Sequence, residues 1–152
     1  MKKLIIAILA LGILTSASFQ KPSGGSWTFK STRAKANMFI PHGYSFAAFD
    51  TTQRPQPKFI VDFHTKFPGV GGKFKVVKGL ALTDTEIAIG TGVSQGGVLT
   101  FYSSTGGNGK QMVDVTVTED GRITLVGSGI EMANQKNAKD IAPLSFNISF
   151  TQ

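Results

Sequence analysis

Val113-Asp-Val-Thr-Val-Thr-Glu-Asp-Gly-Arg-Ile-Thr-Leu125 decides the fold class, because its alternation and its turn chemistry constrain one another. Val113, Val115 and Val117 face one way while Asp114, Thr116 and Thr118 face the other, the period-two pattern of a half-buried strand. A two-residue Asp-Gly loop would set Val117 opposite Thr124 and mix apolar with polar side chains on each face. A three-residue loop, Glu119-Asp120-Gly121, sets Val117 against Ile123 and Val115 against Leu125. It also gives Gly121 the left-handed position that such loops require. The segment therefore predicts a hairpin with four aliphatic side chains on its buried face and Thr118 opposite Arg122 on its wet face.

The same alternation runs outward in both directions. Trp27 with Phe29, Phe59 with Val61 and Phe63, Phe74 with Val76, Ile87 with Ile89, Leu99 with Phe101, and Leu144 through Phe150 each alternate with polar or small residues, Ile60 being the exception. Beyond residue 18 no stretch repeats apolar residues at helical spacing over three turns. Turn-forming clusters such as Arg54-Pro-Gln-Pro57, Phe67-Pro-Gly-Val-Gly-Gly72 and Ser104-Thr-Gly-Gly-Asn-Gly109 punctuate the runs. Together these features predict an all-β domain: an antiparallel sandwich or up-and-down barrel of eight to ten strands, antiparallel throughout. Its expected core is Trp27, Phe59, Val61, Phe63, Phe74, Val115, Val117, Ile123, Leu125, Phe146, Ile148 and Phe150.

At the start, Met1-Lys2-Lys3 leads into the apolar run Leu4 to Leu14, and Thr15-Ser16-Ala17-Ser18 offers small residues to a signal peptidase. Eleven helical residues rise only about 16 Å against a hydrocarbon core of about 30 Å, so the run reads as a signal peptide rather than a span. The expected organisation is a signal peptide over 1–18, a flexible lead-in over 19–25 and a single β-domain over 26–152. The expected location is periplasmic or extracellular in a bacterium, with no transmembrane helix in the mature protein. The 152 residues contain no cysteine, which removes disulfides, thiolate metal sites and cysteine nucleophiles together. His42 and His64 alone supply zinc chemistry poorly, and neither a metal nor a cofactor is expected. With 41% hydrophobic and 16% charged residues the chain is too apolar for intrinsic disorder.

Charge is unevenly spread along the chain. From Lys21 to Lys78 ten basic residues face only Asp50 and Asp62, whereas from Gly79 onward acids outnumber bases. If Lys58 to Lys66 and Gly72 to Lys78 form a hairpin over the Phe67–Gly72 turn, alternation places Lys58, Lys66, Lys73 and Lys75 on the face away from the core. That face is the candidate anion-binding site, for acidic polysaccharide or lipid head groups rather than nucleic acid. The competing arrangement has Asp84, Glu86 or Asp114 neutralise it across the sheet.

Other motifs point to chemistry but lack its context. Gly92-Val93-Ser94-Gln95-Gly96 spells the nucleophile elbow of α/β-hydrolases, which needs a following helix and a histidine after the serine; here a strand follows and both histidines precede it. A secreted hydrolase using Ser94 is thus the least supported reading. Gly106-Gly-Asn-Gly109-Lys110 is similar to a phosphate-binding loop, but Ser104 stands at the first glycine position and Gln111 at the hydroxyl position, so it reads as a turn. Asp62-Phe63-His64 puts a carboxylate and an imidazole on one strand face without the further partners that metal or acid-base chemistry requires. No catalytic residue is assigned and a non-enzymatic role is expected.

The 12 phenylalanines mostly occupy core slots. Phe39, Phe46, Phe49, Phe59, Phe63 and Phe67 crowd into thirty residues and form the candidate lining of an apolar cavity. Gly25-Ser26-Trp27-Thr28-Phe29 resembles the G-x-W signature of lipocalins and the wider calycin group, and Thr83-Asp84 resembles a second short lipocalin motif. That resemblance implies a structural Trp27 closing one end of a barrel that carries a small apolar ligand. Val115-Thr-Val-Thr118, Gly121, Gly127, Gly129 and Phe146 to Phe150 resemble the last strands of small exported β-domains of Bacteroidetes type. The functional expectation is an exported binding or envelope-associated domain, with a lipocalin-like carrier as the alternative.

Overall fold

The computed structural model describes residues 23–151. The expected signal peptide and most of the lead-in lie outside the described residues. Eleven strands follow in chain order: β1 (Gly24–Phe29), β2 (Thr32–Lys35), β3 (Met38–His42), β4 (Ser45–Phe49), β5 (Lys58–Asp62), β6 (Gly72–Val77), β7 (Glu86–Gln95), β8 (Val98–Ser104), β9 (Met112–Val117), β10 (Arg122–Asn134) and β11 (Ile141–Thr151). A single 3-10 turn, Gly107–Gly109, interrupts them. The all-β expectation holds, with one strand beyond the expected range because residues 32–42 make two short strands.

The hairpin that fixed the fold class has the predicted register: Val117 pairs with Ile123 and Val115 with Leu125. Gly121 is left-handed at φ 77°, and the Thr118 amide donates to the Arg122 carbonyl at 3.0 Å. Every predicted core residue is buried except Val117, which is half-buried and packs on the core's edge. At the other end of the chain β1 begins at Gly24, so residues 24 and 25 belong to the sheet and not to the lead-in. Gly25 pairs with Ile148 of β11 at φ 127°, and a Cβ there would stand 2.1 Å from the Asn147 carbonyl oxygen. Only glycine allows the two backbones to approach that closely.

The strand path is β2-β1-β11-β10-β9-β6-β7-β5-β4-β3, and β8 bridges β7 and β10. That bridge closes β6, β7, β8, β10 and β9 into a five-stranded barrel. From it two wings extend: β11-β1-β2 beyond β10, and β5-β4-β3 beyond β7. The wings lie face to face as a sandwich, and their rings meet between them: Phe46 is 3.9 Å from Phe150, Phe59 4.8 Å from Phe146 and Trp27 6.1 Å from Phe59, centroid to centroid. Offset and tilted rings at such separations are favourable beyond the area they bury. The molecule thus combines the two expected layouts, in an order that is not sequential.

Two expectations fail here. The sheet is not antiparallel throughout: β6 and β7 are parallel, with Val76 opposite Ile87. Residues 78–85 carry the chain back along β6, where the Lys75 amide donates to the Thr85 carbonyl at 2.8 Å and the Leu82 amide to the Glu86 carboxylate at 2.8 Å. Nor do β5 and β6 form a hairpin. β7 lies between them, paired with β5 through Phe59 and Thr91 and with β6 through Val76. Alternation assigns faces, and it assigned them correctly, but it does not choose neighbours.

Candidate functional site

The non-sequential order brings three connections together at one end of the barrel. Ser45 pairs with Asp62 and Asp62 with Ala88, so the β3–β4 turn, the chain leaving β5 and the chain entering β7 all lie there. The Phe63 amide donates to the Tyr44 carbonyl at 3.2 Å and ties the first two. Beside them, between the chain leaving β5, the start of β6 and the chain entering β7, opens a cleft of about 380 Å³, with Phe63, Phe67 and Phe74 among its walls and His64, Lys66, Lys73 and Asp84 among its polar groups. The Phe63 ring meets Phe67 edge-on at 5.7 Å and Phe74 at 6.4 Å. Buried Phe63 and Phe74 and half-buried Phe67, with charged groups beside them, make a volume suited to a ring or short chain that also carries charge.

The candidate anion face is dispersed. Lys66 and Lys73 line this cleft, but the Lys73 ammonium is 2.7 Å from Asp114, as the neutralising alternative anticipated. Lys75, two residues further along β6, borders a different depression. Lys58 lies across β7 from β6, its ammonium 4.8 Å from the centre of the Phe101 ring and 6.0 Å from that of Phe49, a cation held over aromatic faces. Lys66 is exposed and makes no ion pair among the described residues.

The candidate phenylalanines divide as well. Phe63 and Phe67 reach the cleft. Phe46 and Phe59 fill the space between the wings, with Phe39 against Phe46 at 6.2 Å. Phe49 departs from the set: on β4 the alternation buries Phe46 and Ala48, and it puts Phe49 on the opposite face with Lys58. Trp27 stands mid-strand in β1, 1% exposed, and its indole nitrogen has no hydrogen-bond partner among the described residues.

Ser94 lies within β7 opposite Leu99, just before the Gly96-Gly97 turn into β8. Asp62 pairs with Ala88, so Ser94 and His64 are separated by six or more strand residues, roughly 20 Å at the rise of a strand. His42 pairs with Ser45 and so stands at the same end as His64. The His64 ring faces Asp84 at 3.3 Å rather than its strand neighbour Asp62. The glycine-rich segment after β8 is a turn, as its residues predict.

Two polar clusters escaped the sequence. In the first, the Lys30 ammonium donates to the Tyr102 hydroxyl at 2.8 Å and to Asp140 at 2.5 Å, while the same hydroxyl donates to Asp140 at 2.7 Å and the Asn134 amide donates at 3.0 Å. The Lys30 hydrogen bond, then those of Tyr102 and Asn134, hold the Asp140 carboxyl down at about 2. The Asp140 and Tyr102 bonds raise Lys30 in turn. Both groups are therefore charged at neutral pH, a clasp rather than an activated base. Lys30 and Ser31 both have positive φ, 46° and 61°, in the tight turn between β1 and β2, a conformation that side-chain-bearing residues adopt at a cost the clasp offsets. In the second, Asp50 is buried at the end of β4 and accepts hydrogen bonds from Thr52, the Lys35 amide and Gln53. Burial pushes its carboxyl up, but those bonds outweigh burial and bring it to about 2. Asp-Thr-Thr after a strand is a turn signal that the sequence does offer. The Lys30 clasp joins residues too far apart in the chain to be read.

No family model matches the chain, and no curated protein or solved structure matches it. The described residues contain no helix long and apolar enough to cross a membrane.

Proposed function

We propose that this protein is an exported, non-enzymatic binding domain that takes the apolar part of an anionic ligand into the cleft formed by the β5–β6 connection, the start of β6 and the chain entering β7. The observation that carries this reading is the pairing of phenylalanine walls with Lys66, the cleft cation with no ion-pair partner among the described residues. A lipocalin-like carrier would instead hold its ligand among Phe46, Phe59 and Phe150, where Phe46 already meets Phe150 across the wings at 3.9 Å and Phe59 within its own wing at 6.2 Å. The cleft is therefore the better supported location. Val70, 79% exposed on the glycine-rich rim, adds apolar surface there that folding leaves unused.

The test is titration of the cleaved protein with 1-anilinonaphthalene-8-sulfonate, an aromatic anion of suitable size. Saturable binding that weakens about tenfold in Lys66→Glu and in Val70→Asp is expected, since each removes one contact worth a kcal/mol or more. Both positions are exposed, so the variants keep the native circular dichroism spectrum. Equal dye binding by wild type and both variants would refute the cleft. Export is tested separately by fractionation of cells expressing the full chain and by N-terminal sequencing of the product.

A further inference from the structure

A second site lies along the barrel flank, away from the cleft. Where β6 ends, a depression of about 230 Å³ is lined by Lys75, Lys78, Thr105 and the glycine-rich turn after β8. It shares Lys78 and Thr105 with a neighbouring depression of about 360 Å³ that includes Ser103, Asn134 and Gln135. Residues 106 to 109 are all left-handed, with φ of 81°, 49°, 55° and 75°, so the turn presents backbone almost bare of side chains. The Lys75 ammonium lies 3.6 Å from where a Cβ on Gly109 would stand.

Two of the acids near this groove are neutralised by ion pairs, and two keep their charge. Asp114 is bound to Lys73, and Asp140 to Lys30. Glu86, opposite Lys75 in the parallel ladder, accepts the Leu82 amide. Glu131 accepts the Thr105 hydroxyl at 2.5 Å. Lys75 and Lys78 make no ion pair among the described residues. Lys110 follows the glycine turn, and Lys136 and Lys139 belong to the β10–β11 connection, whose Gln135 and Ala138 line the second depression. Lys75, Lys78, Lys110, Lys136 and Lys139 thus outnumber Glu86 and Glu131, whose hydrogen bonds leave them charged, around a concave surface, and the excess of cations raises the local concentration of anions.

We propose that this groove binds an acidic polysaccharide, its carboxylate or sulfate groups seated on Lys75 and Lys78. The chemistry of the lining selects that class. Gln135 donates to the Ser103 hydroxyl at 2.8 Å, which leaves the serine proton and the glutamine carbonyl to bind ligand hydroxyls. No aromatic ring lines either depression, so there is no platform for nucleobases.

The experiment measures binding of the folded domain to dextran sulfate, polygalacturonate and neutral dextran between about 50 and 200 mM salt. Lys75→Gln with Lys78→Gln is expected to weaken binding to both anionic polymers at least about tenfold and to lower the slope of log affinity against log salt by about two. Lys75→Arg with Lys78→Arg retains binding. The control pair Arg33→Gln with Lys35→Gln, on β2, makes the same change in net charge and stays within about twofold of wild type. Equal loss in the control pair would overturn the proposal, because only net charge would then matter. Equal binding to neutral dextran would also overturn it, as would binding confined to phosphatidylglycerol vesicles or single-stranded DNA.

Discussion

Gly25→Ala tests whether the β1–β11 junction is built as described. Two separate penalties fall on the new methyl group. The backbone at φ 127° is a region that alanine adopts only with strain, about 1 to 3 kcal/mol. The Cβ would also stand 2.1 Å from the Asn147 oxygen and 2.8 Å from the Ile148 Cα, both main-chain atoms that no side-chain rotation can move. Relief requires the two strands to part, at about another 1 to 3 kcal/mol for an overpacked site. The sum, roughly 2 to 6 kcal/mol, is a large part of the stability of a domain this size. Two further glycines separate the penalties. Gly43 has φ 60° and no atom within 4 Å of a built Cβ, so Gly43→Ala carries the conformational penalty alone, about 1 kcal/mol. Gly72 has equally open space and no positive φ, so Gly72→Ala is neutral or stabilises by a few tenths of a kcal/mol. Urea unfolding followed through the single tryptophan, buried Trp27, reads all three. A Gly25→Ala loss no larger than that of Gly43→Ala would refute the close approach of β1 and β11.

Tyr102→Phe removes one hydroxyl from the Lys30–Asp140 clasp in a residue with no exposed surface, and a loss of about 1 to 2 kcal/mol in the same urea assay is expected; no change would mean that the clasp contributes nothing. Asp50 supplies an acid-sensitive part of the stability. Its folded value of about 2 lies below the ordinary 3.8, so its contribution is complete above about pH 4 and is lost as pH falls toward 2. The difference corresponds to about 2 kcal/mol, and Asp50→Asn should flatten the stability profile over that window, as measured by thermal melts from pH 2 to 5.

Local features were legible in the sequence and pairings at a distance were not. The Val113–Leu125 hairpin could be read to its register because turn length and the buried face allow a single solution. The predicted core emerged for the same reason, since alternation marks the inward face of each strand whatever its neighbours. Nothing in Lys58–Val77 announces that β7 will lie between β5 and β6, and the imagined lysine face divided along that boundary. Phe49 misled because it is adjacent in sequence to residues of the opposite face. The glycine turn at 106–109 was correctly read as lacking a phosphate-loop pattern. Its neighbours Lys75, on β6, and Lys78, just after it, stand about thirty residues earlier, and no spacing rule reaches that far.

The pairing of β1 with β11 sets a timetable for folding. Gly24 lies beside Ser149 and the Thr151 amide donates to Ser23, so β1, the first of the described strands, has β11, the last of them, as a ladder partner. Until β11 is available, β1 has only the four-residue β2 to pair with, and β10 lacks the longest ladder in the molecule. Such distant contacts are slow to form and reward the chain only at the end. The aromatic rings between the wings therefore close only when β1, β10 and β11 have met.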